Sequence, residues 1–271
     1  MKAPRSVRTA ENFGRVRLSP SFYMRDFLHS EIGDVHGISN LPDDPDLAIA
    51  AGKLLCEYLL EPLQATFGRI AVRSAYRSPA VNALGNARYK SCGSNERSAA
   101  RHIWDRRDRY GFIGAMASIV VPWFADRYAA GVPWQSMAWW IHDHLPYSEL
   151  QFFPKLAAFN IGWHEQPRRR IYSFIPPRGL LTKPGMANHA GSHAEHYPDF
   201  PQFVPTRPVS IARHESGNLL QSLRDWPRPR QSLNRCAGRT SRSLIYHPRS
   251  GALGNDRSRR VPAVVPPHRV G

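Results

Sequence analysis

The sequence predicts an α+β domain whose small antiparallel or mixed sheet follows a set of N-terminal helices. Two observations carry that expectation, and a third bounds the domain. Helical periodicity is strongest before residue 70, and short β-branched and aromatic runs dominate from about residue 117 to residue 175. The composition then changes: all five lysines lie at or before Lys183, and the chain beyond becomes rich in Pro, Arg and Ser.

The elements follow in chain order. Residues 20–40 read as an opening segment with a short helix around 24–30. Residues 43–67 form the best helix, with acidic residues at its start and Leu47, Leu54, Leu55, Tyr58 and Leu59 at spacings of three and four. Gly68 closes it. Residues 70–74 are strand-like, a turn follows through Ser78-Pro79, and residues 80–84 start a short helix. Residues 85–98 look like loop. The β-branched run 117–122 is a strand stopped by Pro122, residues 134–144 have helical spacing, and 149–153 and 170–175 are strands.

Bulk composition excludes some classes. At 42% hydrophobic, with seven Trp, ten Tyr and twelve Phe, 271 residues can bury a core. Three scattered cysteines (Cys56, Cys92, Cys236) argue against a disulfide scaffold and a cysteine-based zinc site. No apolar run follows the basic N-terminus and none is long enough to span a membrane, so a soluble protein made in the cytoplasm is expected. The formal charge of +16 is unevenly spread. Residues 201–271 hold thirteen arginines, no lysine and three acids, which puts ten of the sixteen positive charges there. The expected organisation is a flexible arm at 1–17, a domain at 18–185, a loop-like connector at 186–203 and a disordered Arg/Pro-rich tail at 204–271. Such a tail could touch nucleic acid through phosphate contacts.

Chemistry concentrates in two segments. Arg101-His102-Ile103-Trp104-Asp105-Arg106-Arg107-Asp108 offers a histidine and two carboxylates, and Trp163-His164-Glu165 a second histidine beside a further acid. Catalytic zinc takes three protein ligands of these types and keeps one position for water. In an extended segment Asp108 has the parity of His102 and a turn could fold it back; in a helix His102 and Asp105 would share a face. The set His102, Asp108 and His164 is favoured, with Asp105 as substitute ligand or as a partner orienting a histidine. The structural alternatives are a buried histidine beside Trp104, a solvated charged turn and a strand end. His142-Asp143-His144 reads as a helix C-terminus, and the histidines from His189 to His196 as loop that could bind metal adventitiously.

The order of segments also resembles the M15 zinc peptidases of the D-alanyl-D-alanine carboxypeptidase type, over roughly residues 18–180. The resemblance rests on the opening Leu18-Ser19-Pro20-Ser21-Phe22-Tyr23, on Gly37-Ile38-Ser39-Asn40-Leu41-Pro42, and on Leu60-Glu61-Pro62-Leu63-Gln64. It rests further on Arg73-Ser74-Ala75-Tyr76-Arg77-Ser78-Pro79-Ala80-Val81-Asn82, which is similar to the family's S-G-Y-R-S…N signature. The family's S-x-H-x-x-G-x-A-x-D motif is matched loosely. Gly114-Ala115-Met116-Ala117-Ser118 stands in its second half with serine at the aspartate position, and its histidine falls on Gly111. Trp163-His164-Glu165 fits the family's later histidine.

The resemblance implies a fold like that of the D-Ala-D-Ala carboxypeptidases, a bound zinc, and hydrolysis of peptidoglycan stem peptides. It implies Glu165 as the nearest candidate base, although relatives often carry the acid three residues before the last histidine, where Ile161 stands here. Arg77 would hold the substrate carbonyl or carboxylate and its transition-state charge, with Tyr76 and Asn82 beside it. A phage setting would allow release to the cell wall without an export signal. Two other readings stand beside this one: a metal-free binding or virion-associated module of the same fold, and nucleic-acid binding through the basic tail.

Overall fold

The computed structural model describes residues 1–206. The tail expected at 204–271 lies almost wholly outside the described residues, and with it the nucleic-acid reading that rested on its arginines.

The first helix, α1 (Val7–Gly14), occupies the segment expected to be an arm. Ser6 and Thr9 cap it reciprocally, and Phe13 is fully buried, which anchors it to the core. The short helix expected around 24–30 is a 3₁₀ turn at Met24–Phe27, followed by α2 (Glu31–His36), which ends at Gly37 with φ 62°.

The helix expected over 43–67 is present and starts as the sequence suggests. Asp44 accepts the Leu47 N–H and Pro45 takes the first helical position of α3 (Pro45–Leu55). A π turn at Cys56–Leu60 leads into α4 (Glu61–Phe67), which Gly68 ends at φ 80°. Pro62 sits just past that turn and has no N–H to give to the preceding turn, so the local widening has a covalent cause.

Six strands form one mixed sheet: β1 (Ala71–Ser74), β2 (Gly114–Val120), β3 (Glu149–Phe152), β4 (Phe159–His164), β5 (Arg170–Ser173) and β6 (Gly179–Thr182). Their order is β1-β2-β4-β3-β5-β6, antiparallel throughout except for β3 beside β5. The α+β class with a mixed sheet is therefore as expected. Strand β2 starts three residues before the β-branched run, because Gly114, Ala115 and Met116 pair with His164, Trp163 and Gly162. Pro122 does not only stop a strand; it opens α7 (Pro122–Ala129). The expected helix at 134–144 is α8 (Trp134–His144). The loop expected at 85–98 contains a π turn at Gly85–Tyr89 and one helical turn, α6 (Asn95–Ser98), and it follows α5 (Pro79–Leu84).

The core lies between the sheet and the helices. Trp104, Tyr76, Trp140, Phe124, Phe152 and Phe159 are among its fully buried side chains. Trp104 donates its indole N–H to the Met116 carbonyl at 3.1 Å, which ties the loop carrying His102 to β2. A Cβ on Gly52 would come within 2.9 Å of the Trp104 ring, so a glycine inside α3 has a packing reason. Among the described residues no helix is long and apolar enough to cross a membrane.

Candidate functional site

Strand β4 ends on His164, and the turns after α6 carry residues 99–113 toward that end. Two helical-turn and bridge contacts shape this loop: Ala99 pairs with Ile103, and Ala100 donates to the Arg106 carbonyl. Ala100 takes a left-handed φ of 55° to do so. The loop thereby buries His102 and Asp105 and folds Asp108 back.

Asp108 and His164 meet. Nε2 of His164 lies 3.3 Å from Oδ2 of Asp108, without hydrogen-bond geometry, and both side chains are buried. The other oxygen of Asp108 accepts the N–H groups of Tyr110 at 2.9 Å and Phe112 at 3.0 Å, so the carboxylate is held by its own loop. The other imidazole nitrogen of His164 faces the Gln166 backbone: 2.9 Å from its carbonyl and 3.0 Å from its N–H. Either tautomer of His164 is thus oriented by Gln166.

His102 is arranged in a parallel way. Its Nδ1–H donates to the Ala75 carbonyl at 2.8 Å, and its buried Nε2 has no partner. Burial pushes its pKa well below the ordinary imidazole range, and the Arg77 guanidinium adds to that, so the ring is neutral. Neutral imidazole with Nδ1 bound to a carbonyl is the form that offers Nε2 to a metal. Yet among the described residues no three His, Cys, Asp or Glu side chains converge as a metal-holding group. The structure joins Asp108 to His164 and does not bring His102 into a triplet with them.

Asp105 is engaged elsewhere. Its Oδ2 accepts the N–H of Asp43 at 2.8 Å and lies 3.5 Å from that of Asp44, at the start of α3. Burial raises its pKa despite those N–H donors, and burial beside Asp105 likewise raises the Tyr76 phenol. The helical-face expectation that paired Asp105 with His102 is not met; the turn sends the carboxylate to α3 instead.

The remaining candidates have local partners. Glu165 accepts the Ile113 N–H at 3.3 Å. Arg77 donates to the Cys92 sulfur at 3.0 Å, and burial lowers its pKa. Asn82, fully buried, donates to the Gly93 carbonyl and to Asn95, and its own carbonyl oxygen has no partner.

Two arrangements were not legible from sequence. Glu149, at the start of β3, sits between Arg101 at 2.6 Å and Arg168 at 3.0 Å. Asp143 on α8 accepts from His193 and Tyr197, which fastens the connector to the helix. His142 is buried, not merely a helix end. It takes the Tyr147 hydroxyl at 2.7 Å and donates to the His189 carbonyl at 2.9 Å. The spacing of opposite charges along the chain gave no hint of partners so remote.

No protein-family model, characterised protein or solved structure matches this chain significantly.

Proposed function

We propose that this protein is a zinc-dependent hydrolase of peptidoglycan stem peptides, built on a D-Ala-D-Ala carboxypeptidase-like fold, with its centre at Asp108 and His164. The observation that carries the reading is their separation. Two ligands bound at about 2.0–2.1 Å to a tetrahedral ion stand roughly 3.3–3.4 Å apart, and Oδ2 of Asp108 and Nε2 of His164 are 3.3 Å apart with no hydrogen bond between them. The folded loop does not set a third ligand beside the pair; His102, whose Nε2 is buried, neutral and without a partner, would have to move toward Asp108 and His164 to complete the set. Zinc bound there would lower the pKa of its water to about 7 and polarise a carbonyl.

The chain's own residues divide the other work. The Ala75 carbonyl holds His102 in the tautomer that leaves Nε2 free, and on this reading His164 takes the same tautomer by donating to the Gln166 carbonyl. Glu165 is the carboxylate nearest in sequence to accept a proton, once it releases the Ile113 N–H. Arg77, with Tyr76 and Asn82 beside it, would hold the peptide carbonyl or carboxylate, after exchanging its contact with Cys92.

A second reading has its own observation. If His164 accepts the Gln166 N–H, its proton moves to Nε2 and faces the Asp108 carboxylate. The pair is then a buried ion-pair-like contact in a metal-free binding module. Metal analysis of the purified full chain separates the two. The zinc reading expects one zinc per chain, lost in His164→Ala and Asp108→Ala, and release of amino acids or peptides from stem peptides by mass spectrometry. Absence of tight zinc after equimolar addition, with no hydrolysis, overturns it.

A further inference from the structure

We propose that the cleft beside His164 binds an oxyanion group, a carboxylate or a phosphate, through Arg101 and Arg168 as aligned by Glu149. The inference deepens the zinc-hydrolase reading, on which it rests only for its place beside the reacting atoms.

The cleft is lined by Arg101, Ser148, Glu149, Trp163, His164 and Arg168, among others. Glu149 is nearly fully buried, with its side chain 4% exposed, and its two oxygens face different guanidinium groups. Arg101 Nη2 lies 2.6 Å from one, and Arg168 Nη1 is 3.0 Å from the other. Ser148 fixes the base of this arrangement by accepting the Arg168 backbone N–H at 3.1 Å. One carboxylate thus sets two planar forks side by side, each with most of its five donors still free.

Charge decides that the cluster is not closed upon itself. Arg97, Arg168 and Arg170 all repel the Arg101 guanidinium, and Glu149 is the carboxylate that attracts it. At the contact itself two guanidinium groups share one carboxylate. Arg101 is also largely buried, its side chain 24% exposed, and its one ion pair among the described residues, with Glu149, is a charge contact without hydrogen-bond geometry. A mostly buried guanidinium with spare donors, sharing its one carboxylate with a second guanidinium, is stabilised by a further anion. Neither a solvated charged face nor a self-sufficient ion pair has that stoichiometry.

The available space places the group. The enclosed volume is only about 10 Å³, close to the size of one water. The oxyanion therefore sits at the mouth, on the half-exposed Arg168, whose side chain is 49% exposed, and not in the interior. A ligand anchored there would lie against Trp163 and His164.

Calorimetric titration of the full chain with inorganic phosphate and, separately, with acetate at constant ionic strength tests this. Expected is saturable binding of one or both, one per chain, weakened at least tenfold in Arg168→Gln and in Arg101→Gln. Arg127→Gln, whose guanidinium stacks on Trp123, should leave binding unchanged. Arg168→Gln keeps the test decisive if loss of the more buried Arg101 impairs folding. Which probe saturates identifies the group. No saturable binding of either probe, or equal affinity in Arg168→Gln, overturns the inference. Repeating both titrations after chelation separates it from the zinc reading. Binding that persists without metal supports the arginine site even if zinc fails, whereas binding seen only with zinc assigns the anion to the metal and overturns the arginine site.

Discussion

Asp143 grips His193 twice: one carboxylate oxygen accepts the ring Nδ1–H at 2.7 Å and the other accepts the backbone N–H of the same residue at 2.7 Å. The ring then lies flat on Trp139, centroids 4.0 Å apart and planes 3° off parallel, while its Nε2 lies 3.0 Å from the Asn188 carbonyl. Burial opposes the carboxylate, yet the hydrogen bonds from Tyr197 and His193 hold its pKa below the ordinary range. The connector after β6 is thereby part of the folded domain.

Replacing Asp143 by Ala removes the acceptor for three donors at once. The expected loss is about 1–3 kcal/mol, which lowers Tm by a few degrees for a domain of this size. Uncovering of Trp139 should shift tryptophan emission to the red. An unchanged melting curve and emission spectrum would show that the connector is held by its aromatic contacts alone.

The neutral state of His142 makes stability depend on pH. Burial lowers its folded pKa below the unfolded value near 6.5, and its two hydrogen bonds, from Tyr147 and to His189, suit one ring proton. Below about pH 6.5 the unfolded chain takes up a proton that the folded ring resists, so the unfolded state binds more protons. Stability is then present above that pH and falls as pH drops, at up to about 1.4 kcal/mol per pH unit for a fully coupled proton. Asp143, with a lowered pKa, adds a second loss below about pH 4 by the same sign argument. Urea unfolding at pH 7, 6 and 5 should show the first decline, and His142→Gln should make it shallower without abolishing it, because the more deeply buried His102 adds a decline of the same sign. A slope identical in that variant would assign the decline to other groups.

Asp105 separates a structural carboxylate from a metal ligand. Its oxygen serves the N–H groups at the start of α3, so Asp105→Ala should cost about 1–2 kcal/mol. Asp105→Asn keeps an acceptor oxygen and should recover most of that. Because its raised pKa reflects burial, the neutral amide also escapes the cost of a buried charge. Zinc content, if zinc binds, should be the same in both variants as in the parent chain. Loss of zinc in Asp105→Asn would make Asp105 the ligand after all.

What the sequence disclosed follows from the range of the forces involved. Pro45, Asp44 and Gly68 act within one helical turn, so both ends of the long helix were legible. Residues 134–144 and strand β3 were legible for the same reason. Strand β6 was missed because Gly179-Leu180-Leu181-Thr182 is short and an edge, and its pairing with β5 is irregular in register. At the candidate site, a turn that folds Asp108 back was readable from the arginines, but it was expected to return the carboxylate to the side of His102, and the structure brings it to His164. The destination of Asp105 was not readable, since its partners lie some sixty residues away at the start of α3. Glu149 between two arginines is likewise a product of sheet register, which places β3 beside β4 and β5.

Gly114 offers the sharpest test of how the strand supports the site. It pairs directly with His164 across β2 and β4. A Cβ there would fall 2.3 Å from the Ala100 carbonyl, 2.8 Å from Cδ2 of His164 and 2.9 Å from the Trp163 carbonyl. Two of those three neighbours are backbone, so they cannot step aside as a flexible side chain would. Gly114→Ala should therefore cost at least about 1–3 kcal/mol, as overpacking does, and displace the imidazole from Asp108. Gly162→Ala is the control, because its nearest neighbour at 2.9 Å is the Met116 methyl, which can move. Chemical denaturation should rank Gly114→Ala well below Gly162→Ala, and the His164 ring signals in NMR should shift only in the former. Equal stability of the two variants would mean that the 99–113 loop is loose enough to yield, and that the Asp108–His164 spacing is not imposed by the strand.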